Sequence, residues 1–122
     1  MHPGQLTSAA PMWIGTLSEI EDELPASAGL FDLVVLDEAS QIEQSRAAPA
    51  LLRAQRAVIV GDPHQLHHVS FQSDDAVDAA LERHGLGDWR GLLDVRRVSA
   101  FDLAATTAPW ISCATTSDRS RT

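Results

Sequence analysis

Apolar positions in this chain gather into short unbroken runs rather than long alternations. Leu33 to Leu36 (LVVL) and Ala57 to Val60 (AVIV) are the clearest. Runs of this length, rich in β-branched residues and joined by a helix-forming segment, predict parallel strands buried on both faces. A shorter run, Met12 to Ile14, predicts a third strand. Between the two main strands Arg46 to Ala54 is helical in composition, with Pro49 tolerated in a first helical turn. Ser18 followed by Glu21 forms a capping box for a helix that ends near Leu24 and Pro25. Ser73-Asp74-Asp75 caps a helix from about Asp74 to His84, with acids in its first turn, Arg83 in its last and Gly85 as its stop. Ala76, Val77, Ala80 and Leu81 share one face of it and read as core. A further helix over Ser99 to Ala105 follows Leu92 to Val98, and its Phe101 packs inward.

Composition narrows what such a pattern can serve. With 122 residues there is room for one modest domain. Met1 to Pro11 is a loose lead-in rich in small and turn-forming residues, residues 12–111 carry the domain, and residues 112–122 are a polar tail. Nine basic residues against 17 acidic ones leave a net charge of −8, which opposes free-standing nucleic-acid binding by phosphate neutralisation. Every basic residue is an arginine, so this chain holds no GxxxxGK phosphate loop. A single cysteine, Cys113, excludes an internal disulfide framework, and no run reaches membrane-spanning length, so the chain reads as soluble and cytoplasmic.

Both main strands end in acid. Leu36 runs into Asp37 and Glu38, and Val60 into Gly61 and Asp62. Ligands of open α/β sheets bind beyond the carboxyl ends of the strands, so these three carboxylates are expected to face one crevice, a setting for hydrated magnesium and an activated water. A plainer reading is also open, in which the acids cap the next helix and Gly-Asp-Pro makes an ordinary turn. His64, His67 and His68 form HQLHH, which reads as solvated loop histidines rather than a metal cluster. Arg96 and Arg97 read as surface arginines, with phosphate binding as the alternative.

DEASQ, followed after a short helix and a second strand by GDPHQL, resembles motifs II and III of superfamily 1 helicases, in the group whose magnesium-binding motif reads DEAS. The resemblance implies an α/β fold, a partial RecA-like P-loop NTPase fold with a parallel sheet flanked by helices. By the same resemblance Asp37 orients magnesium on the phosphates of ATP, Glu38 polarises the attacking water and Ser40 belongs to the nucleotide site. Gln65 senses the terminal phosphate, and Asp62 supports its loop. Thr16, at the end of the short strand before motif II, matches a contact to single-stranded nucleic acid; it reads equally well as the first residue of a helix. The missing lysine departs from the family and implies that this chain is a fragment of the first RecA-like domain, inactive alone, with the rest of the helicase as its partner. Other readings of the same residues are a non-catalytic interaction remnant and a P-loop ATPase that is not a helicase. The family's sheet order would also leave Ala57 to Val60 as an uncovered edge. The loss of apolar pattern at residues 112–122, where the family's next motif is due, fits either a disordered Ser/Thr/Arg tail or a misframed ending: read one frame over, Thr115 to Thr122 can encode His-Phe-Arg-Ser-Val-Pro-His.

Overall fold

The computed structural model describes residues 7–65, 70–109 and 111–112. In chain order these form helix α1 (Leu17–Glu23), strand β1 (Phe31–Leu36), a 3-10 turn (Ala39–Gln41), helix α2 (Gln44–Leu52), strand β2 (Ala54–Ile59), helix α3 (Asp74–Arg83), a second 3-10 turn (Gly87–Trp89), helix α4 (Arg90–Leu93) and helix α5 (Ala100–Thr107). β1 and β2 pair in parallel, with Phe31 opposite Ala54 and Leu36 opposite Ile59, and α2 makes the crossover between them. The architecture is α/β with a parallel pair of strands, as the two apolar runs predicted, and is consistent with the partial RecA-like fold that the resemblance implied.

Side chains alternate across a pleated sheet, so one set of positions faces the helices and the next faces away. Val34, Leu36 and Ile59 point to the helical side, where Leu36, Ala39, Ala47, Ala50 and Ala100 form the core. Ala47, Ala50 and Ala100 let α2 and α5 lie close against the strands. On the opposite face Leu33, Val35 and Val58 are 49%, 58% and 46% exposed. The expectation of strands buried on both faces is therefore corrected for the described residues: one face is covered and the other is open.

Other boundaries also differ from expectation. β2 begins at Ala54, three residues before the apolar run, and takes in Gln55 and Arg56, both exposed; Arg56 shares the open face with Val58. Met12 to Ile14 is not a strand; Met12 and Ile14 are 77% and 89% exposed, and the Trp13 indole donates to the Ala10 carbonyl at 2.8 Å. The α1 box is made by Thr16 and Glu19, not by Ser18 and Glu21. Ser18 instead accepts a hydrogen bond from Arg46 at 3.0 Å. Pro49 lies inside α2 rather than in its first turn, because the helix starts at Gln44. Arg53, which sequence reasoning passed over, is 95% buried and knots α1 to α2: its guanidinium donates to the Leu24 carbonyl at 2.8 Å, Pro25 at 3.1 Å and Pro49 at 2.8 Å.

Residues 74–98 make a small helical lobe. Ser73 caps α3, whose buried residues are Val77 and Leu81, while Ala76 and Ala80 stay exposed. Arg96 is half-buried and pairs with Asp94 and Asp74, so it is a tie within the lobe; Arg97 is exposed and lies 3.7 Å from Asp94. The lobe is fastened beside β1 by an antiparallel bridge between Glu43 and Ser99 and by the Ala100 amide, which donates to the Ile42 carbonyl at 2.8 Å. Ser99 then caps α5 with Asp102 in a second capping box. Among the described residues no helix is long and apolar enough to cross a membrane. His67, His68, Cys113 and Thr115 to Thr122 lie outside the described residues.

Candidate functional site

The pairing of β1 and β2 continues one step past the strands. The Val60 amide donates to the Leu36 carbonyl at 2.8 Å, and the Ala39 amide donates to the Val60 carbonyl at 2.8 Å. Both strands are thus pinned side by side at their carboxyl ends, and two turns spring from that point. The first is Asp37-Glu38 followed by the Ala39–Gln41 3-10 turn. The second is Gly61 to Gln65.

Glu38 carries the geometry of the first turn. Its backbone is left-handed, with φ 54° and ψ 34°, in the region that costs an L-residue with a Cβ roughly 1–2 kcal/mol. Such a conformation persists only where its surroundings enforce it. Here the Asp37 carboxylate accepts the Glu38 amide at 2.9 Å, and the Glu38 carbonyl accepts the Gln41 amide at 2.9 Å. Both acid side chains stay exposed at the strand end.

Asp62 builds the second turn. Its carboxylate accepts the His64 amide at 2.9 Å and its carbonyl accepts the Gln65 amide at 3.2 Å, which brings Gln65 back toward the first turn. There the Gln41 side-chain amide donates to the Gln65 side-chain oxygen at 3.0 Å and reaches the Glu38 carboxylate at 3.4 Å. Gln41 therefore bridges the two turns. It was not singled out in the sequence, although it is the last letter of DEASQ; nothing in linear spacing shows that it meets Gln65.

Ser40 sits beneath this surface, 1% exposed, with its hydroxyl unpartnered among the described residues. A Cβ on Gly61 would stand 2.6 Å from the Ser40 Oγ and 2.7 Å from the Phe101 Cδ2, closer than atoms of this kind approach. Glycine is the residue that fits there. Thr16 is remote in sequence, but both it and Asp37 line a cavity of about 800 Å³ that runs along β1. Its hydroxyl accepts the Glu19 amide at 3.3 Å and donates to the Glu19 carboxylate at 2.9 Å, so of its two readings the structure shows the helix-starting one in place.

Exposed carboxylates beside a strand end suit magnesium, which prefers oxygen donors and commonly takes one or two protein carboxylates, with phosphate and water completing its shell. Among the described residues no three histidine, cysteine or acidic side chains are grouped so as to hold a metal. One or two exposed carboxylates are a donor set that an ion can share with water and phosphate.

A model of the AAA domain family matches residues 5–73, a stretch that contains both turns. The chain is 44% identical over 70 residues to an uncharacterized ATP-dependent helicase of Mycoplasma genitalium, a match covering 57% of this chain and 6% of that relative. It is 38% identical over 66 residues to a homologue of that protein in Mycoplasma pneumoniae, covering 54% of this chain and again 6% of the relative. The chain thus corresponds to a small part of each relative's length. No solved structure matches it. More than half of its residues fall within the matched model, both strand-end turns included, and the chain belongs to the AAA domain family.

Proposed function

We propose that residues 12–111 are part of the first RecA-like domain of a superfamily 1 helicase-like ATPase, and that they supply the half of its site that handles magnesium and water. ATP hydrolysis there would drive movement along single-stranded nucleic acid. The observation that carries this reading is the convergence of Asp37, Glu38 and Gln65 at one sheet end, with Gln41 joining the last two. Asp37 would hold the ion, which supplies charge neutralisation on the phosphates when bound. Glu38 would take a proton from the attacking water, a task that needs an exposed carboxylate held at a fixed angle, and its enforced backbone provides one. Gln65, tied through Gln41 to that same carboxylate, would report the state of the terminal phosphate to the rest of the molecule. Thr16 would touch the nucleic-acid backbone through the cavity it shares with Asp37.

A GxxxxGK phosphate loop cradles phosphate with its backbone amides and its lysine, and this chain, which has no lysine, holds no such loop. The chain alone should therefore neither bind ATP tightly nor turn it over. Within a longer polypeptide that includes a phosphate loop, turnover stimulated by single-stranded nucleic acid should appear, and Glu38→Gln should lower it about a hundredfold or more while nucleotide binding persists. Turnover by the chain alone that Glu38→Gln abolishes would show instead that it carries a complete site.

A further inference from the structure

The strand-end turns touch each other through Gln41, but what spaces them lies underneath. Gly61 opens the second turn, and its α-carbon rests on two side chains at once: Ser40, from the first turn, and Phe101, from α5. The distances that a Cβ there would have, 2.7 Å to Phe101 Cδ2 and 3.1 Å to its Cγ, put the ring edge in direct contact with the Gly61 backbone. Phe101 also packs on the cluster of Leu36, Ala39, Ala47, Ala50 and Ala100, so it cannot withdraw without opening the core. α5 is itself fixed to the chain just after the first turn, by the Glu43–Ser99 bridge and the Ala100 to Ile42 hydrogen bond. The ring is thus held relative to the first turn and pressed against the second. It lies beyond the residues 5–73 that the family model matches.

We infer that Phe101 is a positioning residue for the strand-end turns: its ring, lodged against Gly61, sets the distance between the Gly61–Gln65 turn and Glu38, and so holds Gln41 where it can bridge Gln65 and Glu38. Its geometry stands independently of nucleotide, and only its catalytic meaning rests on the function proposed above. A smaller side chain leaves Gly61 unsupported on that side. The second turn then settles toward α5, and a hydrogen bond of 3.0 Å between two exposed amides does not survive a displacement of an ångström or more.

The test uses the full chain, isotopically labelled, free of nucleotide and carrying Val35→Lys on the open sheet face to limit self-association, and reads the Gln41 side-chain amide by NMR. With Phe101 intact, this chain should show a cross-peak between the Gln41 amide protons and the Gln65 side chain. Phe101→Leu and Phe101→Ala should lose it, with the Gln41 amide signals moving to the positions of a free glutamine. Leu103→Ala is the control, since Leu103 is half-buried on the same helix but outside the cluster that Phe101 joins; it should lower the melting temperature and keep the cross-peak. Where Phe101→Ala does not fold, Phe101→Leu decides. Phe101 variants that melt earlier but keep the cross-peak would reduce Phe101 to ordinary packing and overturn the inference, as would a spectrum without the cross-peak when Phe101 is intact. Because no nucleotide is present, either result leaves the ATPase reading standing or falling on its own experiment.

Discussion

Ser40 is buried beneath Gly61, and among the described residues its hydroxyl has no hydrogen-bond partner. An unmet buried hydroxyl costs free energy that a methyl does not, so Ser40→Ala should stabilise the fold by about 1 kcal/mol, seen as a higher urea midpoint with an unchanged slope. Gly61→Ala should do the opposite. The added methyl has no room, and overpacking of this kind costs typically about 1–3 kcal/mol. Because the closest atom it meets is the Ser40 Oγ, the double variant should lose less than the sum of the two single changes predicts. Side chains of this kind mark the limit of what the sequence discloses. Asp37, Glu38 and Asp62 are legible because acid at the end of an apolar strand is a local pattern, and Gln65 only through its resemblance to motif III; the paired strand ends set their two turns side by side. Gln41 and Phe101 are not legible, because what they do depends on meeting Gln65 and Gly61 across the fold.

Among the elements, α1 shows how two equally good local signals compete. Thr16 and Ser18 each have a glutamate three residues on, and either could start the helix. Thr16 wins, and its backbone amide and hydroxyl both donate to the Glu19 carboxylate, at 2.7 Å and 2.9 Å. The backbone bond first, and the hydroxyl second, hold the Glu19 carboxyl below its ordinary pKa. A carboxyl depressed on folding adds stability that is present above its unfolded pKa and is lost as pH falls through the folded one. The α-carbon shifts of Leu17 to Glu23 should therefore stay helical at neutral pH and drift toward coil in acid. Glu19→Gln, which keeps a hydrogen-bonding side chain but cannot titrate, should remove that drift. The α2 boundary escaped prediction for a similar reason. A proline is expected near a helix start, but here the crossover must begin at Gln44 to bring Ala47 and Ala50 over Leu36, and Pro49 is carried inside. The long-range demand of packing outweighs the local preference.

For the molecule as a whole, fold class was readable from two apolar runs, but which sheet faces are covered was not, since an unbroken run looks the same whether one or both sides are buried. Among the described residues Leu33, Val35 and Val58 leave an apolar strip exposed, and the two-stranded sheet has an unpaired edge on each side. Such a surface is a template for association. At concentrations of roughly tens of micromolar, an order-of-magnitude range for this behaviour, sedimentation should show the isolated chain self-associating, and Val35→Lys should shift it toward monomer. A wild-type chain that stays monomeric there would mean the strip is covered in some other way. The bridge between Glu43 and Ser99 has a further consequence, which belongs to time. β1, α2 and β2 pair over a short stretch of chain, so their contacts close early, whereas the bridge joins residues far apart in sequence and must close late. During synthesis the two acidic turns would exist for an interval before Phe101 reaches them, and the site would be assembled first and tuned afterwards.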